Sequence, residues 1–208
     1  MSAQGTPPYV FEPLPWDTAY FSVPSARLTL LEPLNEEQWS EALAQTDGFA
    51  FVCIRNRNCD VKNAMSISRS TDAFVTDTNV QFQKKVCPNG NRPMDPLLTV
   101  CDRLPPNADI LAIAATAFKV SRFLADEALK ARNGALVYHE WVKNAFGKPG
   151  KFFLVSQAAD AKEPTVNGFL LFSIENSCLT LELIGVSDAY QRRGVGARHS
   201  DCSTASPR

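Results

Sequence analysis

Between Lys151 and Val186 the chain carries three apolar runs: Lys151 to Ala158, Val166 to Glu175 and Cys178 to Val186. Glu163-Pro164 separates the first two and Asn176-Ser177 the last two. Apolar runs of this length between turn residues predict strands. A two-residue gap predicts a hairpin, and successive short connections predict an antiparallel meander. Ahead of the strands the apolar period lengthens. Asp109 is placed to cap a helix running to about Val120. A second helix is expected from about Asp126 to Phe146, stopped by Gly147 and Pro149. The second half thus predicts helix, helix, three strands and the start of another helix.

The first half is less regular. Residues 1–15 are Pro-rich and predict a loose segment. Trp16 to Leu31 alternates apolar and polar positions around Pro24, which predicts two short strands or one bent strand. Asn35 to Ala44 predicts a helix, with Asn35 as N-cap and Glu36 and Glu37 in its first turn. A strand is expected at Phe49 to Ile54, a helix at Asp60 to Ser68, and a strand at Phe74 to Val86, where Phe74, Thr76, Thr78, Val80 and Phe82 alternate. Pro88, Asn89-Gly90, Pro93, Pro96 and Pro105-Pro106 crowd the next stretch and interrupt any long element. The expected organisation is an N-terminal α/β domain over 1–90, a linker over 91–106 and a second domain over 107–208, without internal repeats.

Net charge is -1, so any anion site must be local, and a general affinity for nucleic acid or anionic membrane is not expected. Met1 to Trp16 lacks the basic-then-apolar order of a secretory signal. Ile110 to Phe118 is far shorter than the roughly 20 residues that span a bilayer. A cytoplasmic protein is the expectation. The six cysteines form no C-x-x-C pair, and only His139 and His199 could join them as nitrogen ligands. Free thiols and no metal are expected.

The chemistry concentrates where the last run ends. Leu179 to Val186 leads through Ser187-Asp188-Ala189-Tyr190 into Gln191-Arg192-Arg193-Gly194-Val195-Gly196-Ala197. An apolar strand entering a basic, glycine-spaced turn that opens a helix suits a pyrophosphate: the first amides of a helix are unpaired and its dipole favours an anion. Gly194 and Gly196 leave the backbone approachable, and Arg192 and Arg193 add charge. A dinucleotide fingerprint fails, because His199 stands at the third glycine's place and no βαβ unit surrounds it. Elsewhere, Glu182 is either an outward-facing strand residue or a base acting through water. Arg122 is either a surface arginine or a bidentate partner for an oxyanion. His139 reads as a helix-surface residue, and Trp16 with Asp17 as a packing anchor.

Tyr190 to Ala197, with the strand and helices ahead, resembles the GNAT superfamily of acyl-CoA N-acyltransferases, whose pattern is Gln or Arg, two residues, Gly, any residue, then Gly or Ala. Four further segments resemble, in order, the TDP-fucosamine acetyltransferase family: Trp16-Asp17-Thr18-Ala19-Tyr20-Phe21, Asp77-Thr78-Asn79-Val80-Gln81-Phe82, Ala117-Phe118-Lys119-Val120-Ser121-Arg122-Phe123, and Tyr138-His139-Glu140-Trp141-Val142-Lys143-Asn144. The resemblance implies a GNAT fold, a mixed and mostly antiparallel sheet with flanking helices, preceded by a smaller α/β domain. It implies acetyl transfer from acetyl-CoA to the amine of a dTDP-4-amino-4,6-dideoxy sugar, by direct attack in a ternary complex and without a metal. The backbone of Ile184, Gly185 and Val186 would hold the pantetheine arm, beside a bulge near Leu183–Gly185. Gln191, Arg192, Arg193, Gly194, Val195, Gly196 and Ala197 would hold the pyrophosphate. A homodimer is left open, as is another small-molecule or protein amine as acceptor.

The chain departs from that family after Ala197. Arg198-His199-Ser200-Asp201-Cys202-Ser203 and the residues beyond carry no continuing apolar helical pattern, and Ser, Thr and Asp are poor helix interiors. No residue matches the family's catalytic tyrosine, so no catalytic residue is named. The expectation is a C-terminally incomplete or frame-shifted GNAT domain, with low activity or none.

Overall fold

The computed structural model describes residues 7–85, 95–158 and 165–203, with side chains up to 200. The chain divides into two compact units, Met1–Thr76 and Asp77–Arg208. It is an α/β protein with one three-stranded and one four-stranded sheet.

In the first unit, β1 (Tyr9–Pro13) pairs antiparallel with β2 (Ser25–Leu30), which pairs parallel with β3 (Phe51–Asn56). Parallel neighbours need a crossover, supplied by α2 (Glu36–Ala44). Its capping box is complete: Gln38 N donates to Asn35 Oδ1 at 2.8 Å and Asn35 N to Gln38 Oε1 at 3.0 Å. Leu28, Leu30, Leu34, Trp39 and Ala42 form the core. On α3 (Val61–Ser70) the buried Asn63 accepts from Leu34 N at 2.9 Å and donates to Glu32 O at 2.9 Å, tying the helix to the turn after β2.

Three expectations fail in this half. Tyr9–Pro13 is a strand, because Tyr9 and Phe11 cover the core of the first unit. Pro15–Phe21 is a helix, α1, rather than a strand. Pro15 opens it where its missing N–H costs nothing, and Trp16 and Tyr20, four apart, stack at 5.0 Å between ring centroids. Residues 71–85 form no regular element. Val75 and Phe82 are 88% and 93% exposed, so alternation there buries nothing.

In the second unit the meander forms as expected. β4 (Leu98–Asp102), β5 (Lys151–Gln157), β6 (Val166–Glu175) and β7 (Cys178–Val186) lie in that order, all antiparallel. β4 lies inside the stretch expected as linker, where five residues suffice to pair with β5. Asn176 and Ser177 make the two-residue turn, both at positive φ (48° and 62°). α4 (Ala108–Thr116) is capped by Asn107, not Asp109; the Asp109 carboxylate accepts from Val166 N at 3.0 Å. The single helix expected over 126–146 is split into α6 (Glu127–Lys130) and α7 (Val137–Ala145), and an unexpected turn of helix, α5 (Arg122–Ala125), precedes it. Asp126 starts a fresh cap between α5 and α6, and Asn133 turns left-handed at φ 63° ahead of α7.

α4 and α7 cover one face of the sheet, packing Ile110, Ile113 and Val142 on Phe153, Val155, Phe169 and Leu171. α8 (Val195–Ser203) lies on the other face, where Gly168 has room only for hydrogen beside Val195 and His199. The tail expected to abandon the helix therefore continues it to Ser203. Val195 and His199, four apart, are both buried and anchor that helix, and Arg198 N donates to Gly194 O at 3.1 Å. No described helix is long and apolar enough to cross a membrane.

Candidate functional site

β7 is an edge strand, so the outer side of its backbone has no partner strand among the described residues. The β6–β7 register slips at Glu182, since Leu171 faces Leu183 while Phe172 faces Leu181. This bulge lies just before the Leu183–Gly185 stretch where one was expected. Glu182 forms an ion pair with Lys151, which favours its reading as an outward-facing strand residue over that of a base. Gly185 is fixed by packing: a Cβ there would lie 2.8 Å from the Phe169 ring and 3.0 Å from Ile113.

Beyond Val186 a 3₁₀ turn, Asp188–Tyr190, leads into the basic loop and α8. Arg192 and Gly194 take left-handed backbone at φ 59° and 79°. Val195, Gly196 and Ala197 open α8 ahead of Arg198, whose N–H makes the first bond of the helix, to Gly194 O, so their amides are the free ones of a helix start. A cavity of about 290 Å³ opens here, lined by Val186, Tyr190, Gln191, Arg192 and residues 194–197. A Cβ at Gly194 would meet nothing within 4 Å, and one at Gly196 only Val186 Cγ2 at 3.9 Å. Packing therefore does not demand Gly196, whereas Gly194 is required by its left-handed backbone. Their absent side chains leave open space above unpaired amides, which fits a group such as a pyrophosphate.

The side chains of the loop divide in role. Arg192 is exposed, and the Arg193 guanidinium lies 5.2 Å from the Tyr190 ring centre. Gln191 turns back onto the strand. Its Nε2 donates to Asp188 Oδ1 at 2.7 Å and Val186 O at 3.3 Å, so its amide braces the turn and engages the Val186 carbonyl expected to meet the pantetheine. Val195 is buried and anchors α8, leaving only its backbone for a ligand. Ile184 is 43% exposed on the α8 face.

Sequence reasoning missed two supports. Lys119 Nζ reaches the Asp188 carboxylate at 3.2 Å, fastening the segment after α4 to the turn. Below α8, Ser156 Oγ donates to Asn167 Oδ1 at 2.6 Å in a buried polar patch, while neither ring nitrogen of the fully buried His199 has a partner among the described residues. Burial first, and the Arg198 charge second, push the His199 pKa down from 6.5 to about 4, so the ring is neutral at pH 7. The four-residue spacing of Val195 and His199 was the available signal. Of the other candidates, His139 Nδ1 lies 3.3 Å from Glu140 Oε1, and Asp17 is buried. Among the described residues no group of three or more His, Cys, Asp or Glu is placed to hold a metal. The chain matches no family model, no curated protein and no solved structure.

Proposed function

We propose that the turn after β7 binds the diphosphate of acetyl-CoA, and that the protein is a GNAT-type N-acetyltransferase acting on the amine of an amino-sugar nucleotide. One observation carries the reading: unpaired helix-start amides, two glycines whose side-chain space is empty, and a cavity all coincide on residues 192–197. The pantetheine arm lies along the outer edge of β7 beside Ile184 and Gly185. Arg192 and Arg193 supply the local charge that a net charge of -1 does not. In the transfer, the acceptor nitrogen forms a bond to the acetyl carbonyl carbon, the carbon–sulfur bond breaks, and coenzyme A leaves as thiolate while the amine gives up a proton. Holding both substrates side by side supplies the main acceleration. The acceptor class rests on the four motif resemblances between Trp16 and Asn144, and no described residue is assigned as acid or base.

The test separates cofactor binding from folding. Gly196→Leu places a side chain in the cavity without meeting protein backbone. It should leave the circular dichroism spectrum unchanged and abolish the thermal shift produced by acetyl-CoA. No shift in the unsubstituted protein, or an equal shift in the variant, overturns the reading. Release of coenzyme A with a dTDP-4-amino-4,6-dideoxy sugar, but not without it, tests the acceptor.

A further inference from the structure

α8 is seated on the sheet by two side chains. Of its described side chains only Val195 and His199 are buried, and both press onto Gly168: a Cβ there would lie 2.9 Å from Val195 Cγ1 and 2.9 Å from His199 Cε1. A helix of nine residues is marginal by itself, so its seat decides whether it forms. The first turn of this helix is also the one that supplies the free amides of residues 195–197. Seat and anion turn are thus the two sides of the same few residues.

A histidine is a costly choice for that seat. Its ring is fully buried and neither nitrogen has a partner among the described residues, where a leucine or methionine would seat the helix without that cost. The surroundings tolerate the neutral ring and offer nothing to the charged one. β5 brings Ser156, whose Oγ shares the space above Gly168 and donates at 2.6 Å to Asn167 Oδ1 on β6. β6 adds Gly168 itself, and β7 adds Val186. None of these titrates. The charged groups are Arg198, the preceding residue, and Asp95 ahead of β4, whose carboxylate Arg198 already engages at 3.7 Å. Of the two, it is the cation that bears on the ring, and a cation repels an imidazolium.

We infer that His199 is a positioning residue with a built-in release: its neutral ring seats α8 and so keeps the turn at residues 192–197 in the form that takes a diphosphate, and protonation of the ring lifts α8 off Gly168 and dissolves that turn. The anion held there is kept at neutral pH and shed in acid. Its identity as acetyl-CoA rests on the reading above, while the latch itself is defined by the opening of α8. With the ring titrating at about 4 when seated and at its ordinary 6.5 when α8 is open, opening is insensitive to pH above 6.5. It rises as pH falls from there to 4 and is flat below, by at most about 300-fold in all.

Amide hydrogen exchange of the full chain at pH 7.5 and pH 5.0, corrected for intrinsic rates, reads α8 directly. Peptides over Arg198–Ser200 should exchange about 30-fold faster at the lower pH, while those over Phe153–Val155 keep their protection. In His199→Leu, which seats the helix without a titrating ring, protection over α8 should be the same at both pH values. His199→Met takes its place if that variant melts early. Calorimetric titration with acetyl-CoA at the same two pH values reads the consequence. On acidification, affinity should fall about threefold or more further in the unsubstituted protein than in the variant, a comparison that cancels the titration of the cofactor's own phosphates. Equal α8 exchange at the two pH values in the unsubstituted protein, an acid-labile α8 in a folded His199 variant, or an equal loss of affinity in both proteins overturns the inference. No binding of acetyl-CoA at pH 7.5 alongside acid-dependent exchange of α8 overturns the cofactor reading instead, and the latch stands.

Discussion

Leu170 and Leu171 are neighbours on β6 and both nearly inaccessible, yet they point into different surroundings. Leu171 enters the layer closed by α4 and α7, where Phe153 and Phe169 meet Ile110, Ile113 and Val142. Leu170 faces the other side with Leu98, Leu154 and Phe172. There the nearby ground under α8 is shared with Ser156, Asn167 and a histidine whose nitrogens bond to nothing described. One face is apolar throughout, and the other admits polar groups that cost free energy to bury. The basic turn hangs from the second face. The element that presents the candidate cofactor loop is thus the one held less firmly, consistent with the general finding that binding segments come from the low-stability end of a fold.

The matched pair of leucines tests this contrast most directly. Leu171→Ala should cost several kcal/mol, towards the upper end of the roughly 2–5 kcal/mol seen for such truncations, and Leu170→Ala should fall towards the lower end. Urea denaturation of the two variants compares them, and equal losses would break the distinction between the faces.

Acid should act on the α8 face through His199. The folded His199 pKa of about 4 lies below its ordinary 6.5, so the unfolded chain binds the extra proton first. The stability is fully present above about pH 6.5. It declines as pH falls towards 4, by about 3 kcal/mol, and levels off below. His199→Leu should flatten that part of the profile. A variant with the same slope would move the titration to another group.

Smaller effects sharpen the picture at the loop. Gly196→Ala should add up to about 1 kcal/mol of stability, since alanine favours a helix over glycine and its Cβ finds room. The same change should weaken acetyl-CoA binding, so stability and affinity would move in opposite directions. Lys119→Ala removes an exposed ion pair and should cost no more than about 1 kcal/mol by thermal melting. A larger loss would mean that the bridge to Asp188 carries the turn.

What could be read from the sequence followed the strength of local signals. The three long strands, the Asn176-Ser177 hairpin, the Asn35 cap and the glycine-spaced turn each combine apolar period with punctuation, and each appears in the structure. Elements decided by partners rather than by period were misread. Phe74 to Phe82 alternates like a strand but pairs with no strand among the described residues. The stretch over 126–146 has helical composition and starts at Asp126 as expected, yet Asn133 turns left-handed and breaks it into short pieces. The tail after Ala197 looks too polar for a helix, and two positions four apart suffice to seat it. The site was legible as a backbone loop but not as a set of side chains: nothing local shows that Gln191 folds back onto Val186, or that Lys119 reaches across to Asp188.

The open side of β7 has one more consequence. Leu181 and Ile184 stand half bare along it, and its backbone is a template for any extended chain that comes near. A peptide or a sister molecule zipping onto that strip would end at Val186, at the mouth of the cavity, on the ground assigned to the pantetheine. Clumping and ligand loading would then compete for the same few ångströms, and cofactor added early would protect the protein against sticking to itself in concentrated solution.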